Sequence, residues 1–355
     1  MTKFFAVPLI FVAFALLLGA CSSVNNSSTG LTRHRGGFFD TFDTYVQIII
    51  YTETQQEFDE HFKNFKNAFE RYHILFDIYN NYDGVNNLHT INNNAGVSPV
   101  VVDPAIIELL VFSKQAYYYT GGMLNIALGP VLSIWHEHRM HNISNPENAS
   151  IPLYYALREA ANFIDIRDLL IDEEANTVFL AREGMLLDVG ATAKAFTVER
   201  VANTLINRGV TSAIIDAGGD VFAIGESMTG GGRPWNIGIR DPETGGLFDA
   251  VRVRDMAAAT SGNQHRAFIF DGVSYNHIID PTTLMPAANF AAVSVIHESA
   301  IIAELLSTAL FILSSDEGYE LAQKFNAAVI WLFHNGTADF NERYRTISQN
   351  FYDGS

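Results

Sequence analysis

Two oxygen-bearing side chains, Glu304 and Thr308, stand four residues apart in the segment SAIIAELLSTALF. On a helix that spacing puts both on one face, one turn from each other. A carboxylate with a hydroxyl is a hard-oxygen pair suited to Mg²⁺, which keeps positions open for water and phosphate. The neighbours Ile301, Ile302, Leu305, Leu306 and Leu310 are apolar, so a carboxylate among them needs a partner; taken alone, the pair also fits an ordinary exposed helix face. Lys194, in GATAKAF, lies in the first turn of a second expected helix, where an ammonium beside unpaired backbone N–H groups accepts phosphate. A solvated surface lysine has the same signature. The third chemically suggestive stretch is Ala259–Ala287, which carries Thr260-Ser261-Gly262 at one end and His277 with Asp280-Pro281 at the other.

The elements that must position these residues can be read from periodicity and turn chemistry. Within Ala259–Ala287, the runs 266–270 and 273–279 flank Asp271-Gly272, which predicts a β-hairpin. Thr260-Ser261-Gly262 is expected to be a small-residue turn open to a ligand. Upstream, Thr44–Tyr51 is β-branched and aromatic and reads as a strand. Phe58, Phe62, Phe65, Phe69, Tyr72 and Phe76 recur at three and four and mark the core face of a helix. Residues 79–96 are Asn-rich turn material, and Asp103-Pro104 caps a helix running to about Tyr119. Gly129-Pro130 interrupts any simple assignment of 124–135. Strands are expected at 177–180, 185–189, 213–216, 221–224, 292–296 and 328–333, with helices from Gly190 to Arg208 and from about Ser299 to Leu313. This order predicts an α+β fold, a single domain of mostly antiparallel strands with packed helices and no doubly wound βαβ alternation.

The chain has 355 residues, is 48% hydrophobic and carries a formal net charge of -17. It can bury a sizeable core, and it lacks the clustered Lys and Arg that a nucleic-acid partner requires. An anionic ligand therefore needs a metal or a few local basic groups. Lys3, the apolar run 4–18 and Leu18-Gly19-Ala20 before Cys21, the only cysteine, describe an export signal over residues 1–20. The cysteine's context resembles the lipobox of bacterial lipoproteins, which implies an acylated Cys21 and a membrane-anchored protein on the outer face of the cytoplasmic membrane. Residues 21–37, rich in Ser, Asn and Gly, are expected to be a flexible tether; the folded domain is assigned to 38–335 and a C-terminal extension to 336–355. Neither a Gly-x-Ser-x-Gly elbow, a dinucleotide fingerprint nor a P-loop is present. His136, His138 and His141 have no acidic or cysteine partner at a ligand interval.

The segments LDVGATAKAFTVERVA, IIDAGGDVFAIG, ATSGNQHRAFIFDGVSYNHIIDPTTLMPA and AELLSTALF, in this order, resemble the motifs of the ApbE family, the FAD:protein FMN transferases. FDTFDTYVQI and YNNYDGVNNLHTIN resemble its N-terminal elements, so the likeness spans roughly residues 38–335. The resemblance implies an enzyme that uses FAD and Mg²⁺ to transfer FMN to a threonine hydroxyl of an acceptor flavoprotein, releasing AMP. It implies metal ligation by Glu304, Thr308 and the Ala191 carbonyl, FAD contacts from Phe42, Tyr82, Asn125 and Lys194, and His277 as the base toward the acceptor hydroxyl. Three departures stand out: Glu304 where the family has Asp, Ala195 where it has Gly, and Gly122-Met123-Leu124-Asn125 where it has Gly-x-Phe-Asp. A water-accepting FAD hydrolase and a non-enzymatic flavin-binding lipoprotein are the alternatives.

Overall fold

A computed structural model describes residues 30–263 and 266–351. The export signal and Cys21 lie outside the described residues. Strand β1 (Thr32–Thr41) turns into β2 (Thr44–Thr52). Helix α1 (Gln55–Phe76) follows, with Thr54 capping it by accepting from the Glu57 N–H. The aromatic stripe packs as expected: Phe65 and Phe69 are fully buried, and Phe38 from β1 meets Phe65 and Phe69 edge-on at 5.8 and 5.9 Å. Burying each such ring stabilises the fold by roughly 2–3 kcal/mol. Pairing thus begins at Thr32, inside the stretch assigned to the tether.

After the Asn-rich loop come α2 (Leu88–Asn93), β3 (Val100–Val101), α3 (Pro104–Tyr119), α4 (Gly129–Ser144) and α5 (Tyr154–Ala160). Asp103 caps α3 as expected, accepting from the Ala105 N–H at 2.9 Å. Gly129-Pro130 opens α4, because a proline in the first turn lacks only an N–H that would be unpaired anyway. Strands β4 (Leu169–Asp172) and β5 (Thr177–Leu180) join β3 in a small sheet.

Met185–Val189, expected to be a strand, is not one. The Asn92 side chain takes a strand partner's place, accepting from the Leu187 N–H at 2.7 Å and donating to the Leu187 carbonyl at 3.0 Å, while the Asp188 N–H goes to the Ile126 carbonyl. The alternating burial of Met185, Leu187 and Val189 that suggested a strand is real; the ladder is absent.

The chain continues through α6 (Ala193–Asn207), β6 (Ser212–Ala217), β7 (Asp220–Gly225), β8 (Trp235–Arg240), β9 (Leu247–Val253) and β10 (Met256–Gly262). Next come β11 (Phe268–Phe270), β12 (Val273–Tyr275), β13 (Ala292–His297), α7 (Ala300–Ile312), α8 (Ser315–Lys324), β14 (Ala328–Leu332), β15 (Ala338–Phe340) and α9 (Glu342–Ile347). Eight strands form one sheet in the order β1-β2-β6-β7-β10-β13-β14-β15, antiparallel at every pairing. The α+β expectation therefore holds. Helices α1, α6 and α7 cover one face of the sheet through the larger core. The β8–β9 ribbon covers the other: Trp235, Ile237, Ile239, Val251 and Val253 pack with Ala223, Ala258, Ile296 and Ile330 of the sheet.

Two corrections bear on the site. Thr260-Ser261-Gly262 is the last part of β10, paired with β13 residue by residue, and not a turn. Residues 336–351 belong to the folded unit: β15 extends the sheet, and Tyr344 of α9 is fully buried in the ribbon-side core.

Candidate functional site

Helix α6 begins beside the β6–β7 turn, and α7 crosses the same place. The turn needs Gly218 at φ 63, where a Cβ would also collide with Thr44 Oγ1. It delivers Asp220 to the start of β7, 95% buried. Lys194, in the first turn of α6, reaches across to it: its Nζ is 2.6 Å from Asp220 Oδ2 and donates to the Ala217 carbonyl at 3.0 Å. From α7, Glu304 comes within range of the same pair, and the charges of Asp220 and Lys194 both act on its carboxyl. Burial, then the neighbouring charge of Asp220, hold the Glu304 carboxyl well above its ordinary value, against the opposing pull of Lys194 and Ser307. One turn on, Thr308 Oγ1 lies 3.5 Å from Ser261 Oγ, which bonds Ser307 Oγ at 2.9 Å. The sequence-predicted Lys194, Glu304 and Thr308 thus converge.

This donor set fits a divalent cation. Two enclosed carboxylates face one ammonium, a local charge that favours a further cation or a proton. Asp220 Oδ2 is buried without a well-directed hydrogen bond, Lys194 serving it as a charge contact. Among the described residues no three His, Cys, Asp or Glu side chains form a metal cluster. A cation here would draw on carboxylate, hydroxyl and carbonyl oxygens, the chemistry of Mg²⁺.

The turn entering α6 carries Asp188 and Ala191 and leads to a second polar group. Asp188 Oδ1 accepts from the Gly190 N–H at 2.8 Å. Burial pushes its carboxyl up, opposed by that bond and by the charges of Arg266, His136 and Arg139. His136 and Arg139 come from α4, whose histidines carry no metal-site geometry; Arg139 donates to His136 Nδ1 at 2.9 Å. The Tyr79 ring, 61% exposed, lies 5.7 Å from the His136 ring.

The remaining expected residues make other contacts. Tyr82 donates its hydroxyl to Asp77 Oδ2 at 2.8 Å, within a loop that Asp77 organises. Asn125 accepts from the Ala127 N–H and donates to the Ile164 carbonyl. Phe42, at φ 52 in the β1–β2 turn, packs edge-on against Phe69 and His73. The β11–β12 hairpin forms at Asp271-Gly272 (φ 49 and 76) and docks on α4, Trp135 stacking on Tyr275 at 5.9 Å. It leads to half-buried His277, whose neighbour Asn276 is buried and donates to the Ala287 carbonyl at 2.7 Å. Sequence reasoning did not single out Asp220, Tyr79 or Arg139, and it considered His136 only as a metal ligand and set it aside. A carboxylate directly after Gly218-Gly219 was the available signal for Asp220.

A helix N-terminus, a lysine and paired carboxylates gathered at the end of a central strand of an antiparallel sheet define a protein that can hold an anion and a cation together. The profile of the ApbE family matches residues 42–331, and the chain belongs to that family. It is 36% identical over 286 residues to the FAD:protein FMN transferase of Treponema pallidum, covering 74% of this chain and 76% of that one. It is 28% identical to the Haemophilus influenzae FAD:protein FMN transferase, covering 90% of each. Among solved structures, the ApbE protein of Thermotoga maritima superposes with a TM-score of 0.78 at 25% identity, covering 89% of this chain and 99% of that one. The flavin transferase ApbE from Vibrio cholerae, at 20% identity and a TM-score of 0.75, covers 89% of this chain and 100% of its own, and shares the fold.

Proposed function

We propose that this chain transfers the FMN half of FAD to a threonine hydroxyl of a partner flavoprotein and releases AMP, with Mg²⁺ held by Glu304, Thr308 and the Ala191 carbonyl. The observation that carries the reading is the meeting of Lys194, Asp220 and Glu304 at the start of α6, in a chain whose family match runs over 42–331. A divalent cation held by these oxygens would supply the positive charge that a pyrophosphate and its departing phosphate require. Lys194 and the α6 N-terminus add fixed positive potential at the same phosphates. His277 accepts the proton of the threonine hydroxyl as its oxygen bonds to the flavin-side phosphorus; the bond from that phosphorus to the bridging oxygen breaks, and AMP leaves with the oxygen and its electron pair. Phe42, Tyr82 and Asn125 are assigned to the nucleotide by resemblance, and Tyr79 joins them on its exposed position beside Asp188 and His136.

Incubation with FAD, Mg²⁺ and an acceptor flavoprotein should leave a fluorescent flavin on the acceptor band after denaturing electrophoresis. No band across several divalent metals sinks the proposal. FMN and AMP formed without acceptor would instead indicate the FAD hydrolase, and FAD bound but unchanged the flavin-binding lipoprotein. In the same reading residues 1–20 direct export, Cys21 is acylated, and the domain stands on the outer face of the cytoplasmic membrane. Cys21→Ser should then move the protein from the membrane pellet to the soluble fraction.

A further inference from the structure

We propose that Lys194 is the resident counter-ion of the ligand-free site and competes with the divalent cation for the Asp220–Glu304 pair, Asp220 being the residue that positions the lysine. The inference rests on the cation reading above. Lys194 does not point into open solvent awaiting phosphate: its Nζ is held at 2.6 Å from Asp220 Oδ2 and at 3.0 Å from the Ala217 carbonyl. Asp220 is 95% buried, and its Oδ2 has no well-directed donor, so charge rather than hydrogen-bond geometry keeps the two together. The charges of Asp220 and Lys194 both act on the Glu304 carboxyl, so one ammonium serves two acidic groups. Nothing else cationic among the described residues touches this pair.

A divalent cation entering these oxygens meets the lysine charge already in place, and the two repel. Cation entry loosens the Lys194–Asp220 contact and leaves the ammonium available to a nucleotide phosphate. The site thereby exchanges an internal cation for an external one and gains a phosphate-binding group in the same event.

The test measures Mn²⁺ affinity of the nucleotide-free protein from the free-ion electron paramagnetic resonance signal, with folding checked by thermal melt. Lys194→Met should tighten Mn²⁺ binding by about tenfold. Asp220→Asn should weaken it by on the order of tenfold or more, and in the double variant the gain from removing the lysine should shrink. Unchanged or weaker Mn²⁺ binding by Lys194→Met overturns the inference, whatever Asp220→Asn does. Wild-type protein that binds no Mn²⁺ overturns it together with the cation reading, whereas measurable binding insensitive to Lys194 overturns this inference alone.

Discussion

Glu304 is one methylene longer than the aspartate usual in the family, and its carboxyl feels the charges of both Asp220 and Lys194. Glu304→Gln should lower transfer by roughly 100-fold and flatten its Mg²⁺ dependence, since a neutral amide cannot balance a divalent cation in an enclosed site. A Mg²⁺ titration of the initial rate checks both outcomes. His277→Ala should cost about 10²–10⁴ in rate while FAD binding is largely retained; transfer at the wild-type rate would remove His277 from the base role. Tyr79→Ala should weaken FAD binding severalfold, read by quenching of flavin fluorescence, and Tyr82→Phe, which keeps the ring and loses only the hydroxyl committed to Asp77, should leave it unchanged.

The Asn-rich loop between α1 and α2 is ordered by a single acid. Burial raises the Asp77 carboxyl, but hydrogen bonds from the Asn80 side chain, the Tyr79 and Asn80 N–H groups and the Tyr82 hydroxyl outweigh it and leave it below its ordinary 3.8. A depressed carboxyl contributes stability that is present above 3.8 and lost as pH falls through the lower folded-state value. Urea midpoints followed down through this range should therefore decline for the wild type and much less for Asp77→Asn, and Tyr82→Phe should cost about 1 kcal/mol. This loop also marks where sequence legibility ends. Capping and periodicity announced α3, the α1 stripe and the Asp271-Gly272 hairpin, because those signals are local. Asn92 replacing a strand beside Leu187, Tyr79 reaching α4 and Asp220 meeting both Lys194 and Glu304 depend on residues far apart in the chain, which no local pattern encodes. Lys194, Glu304 and Thr308 were legible as chemistry; their common partner was not.

At the scale of the molecule, the last described residues close the structure. Asp249, 1% exposed on β9, accepts from the Tyr344 hydroxyl at 2.8 Å, Ser348 Oγ at 2.6 Å and the Asn350 N–H at 3.1 Å. Ending the chain after Asn335 would strip those donors from a buried acid, at a cost of about 3–5 kcal/mol, and bare the edge of β14, whose five residues are all buried. Such a protein should be recovered insoluble or without a cooperative melt; a soluble, sharply melting truncation would refute this. At the opposite end, the start of β1 at Thr32 leaves ten residues between it and Cys21. Fully extended, that stretch spans at most about 40 Å. If Cys21 carries the proposed anchor, the catalyst is on a short leash: it searches a thin layer over the bilayer in two dimensions, and acceptors whose flavinylation site lies in that layer meet it at a raised effective concentration while proteins diffusing beyond it do not.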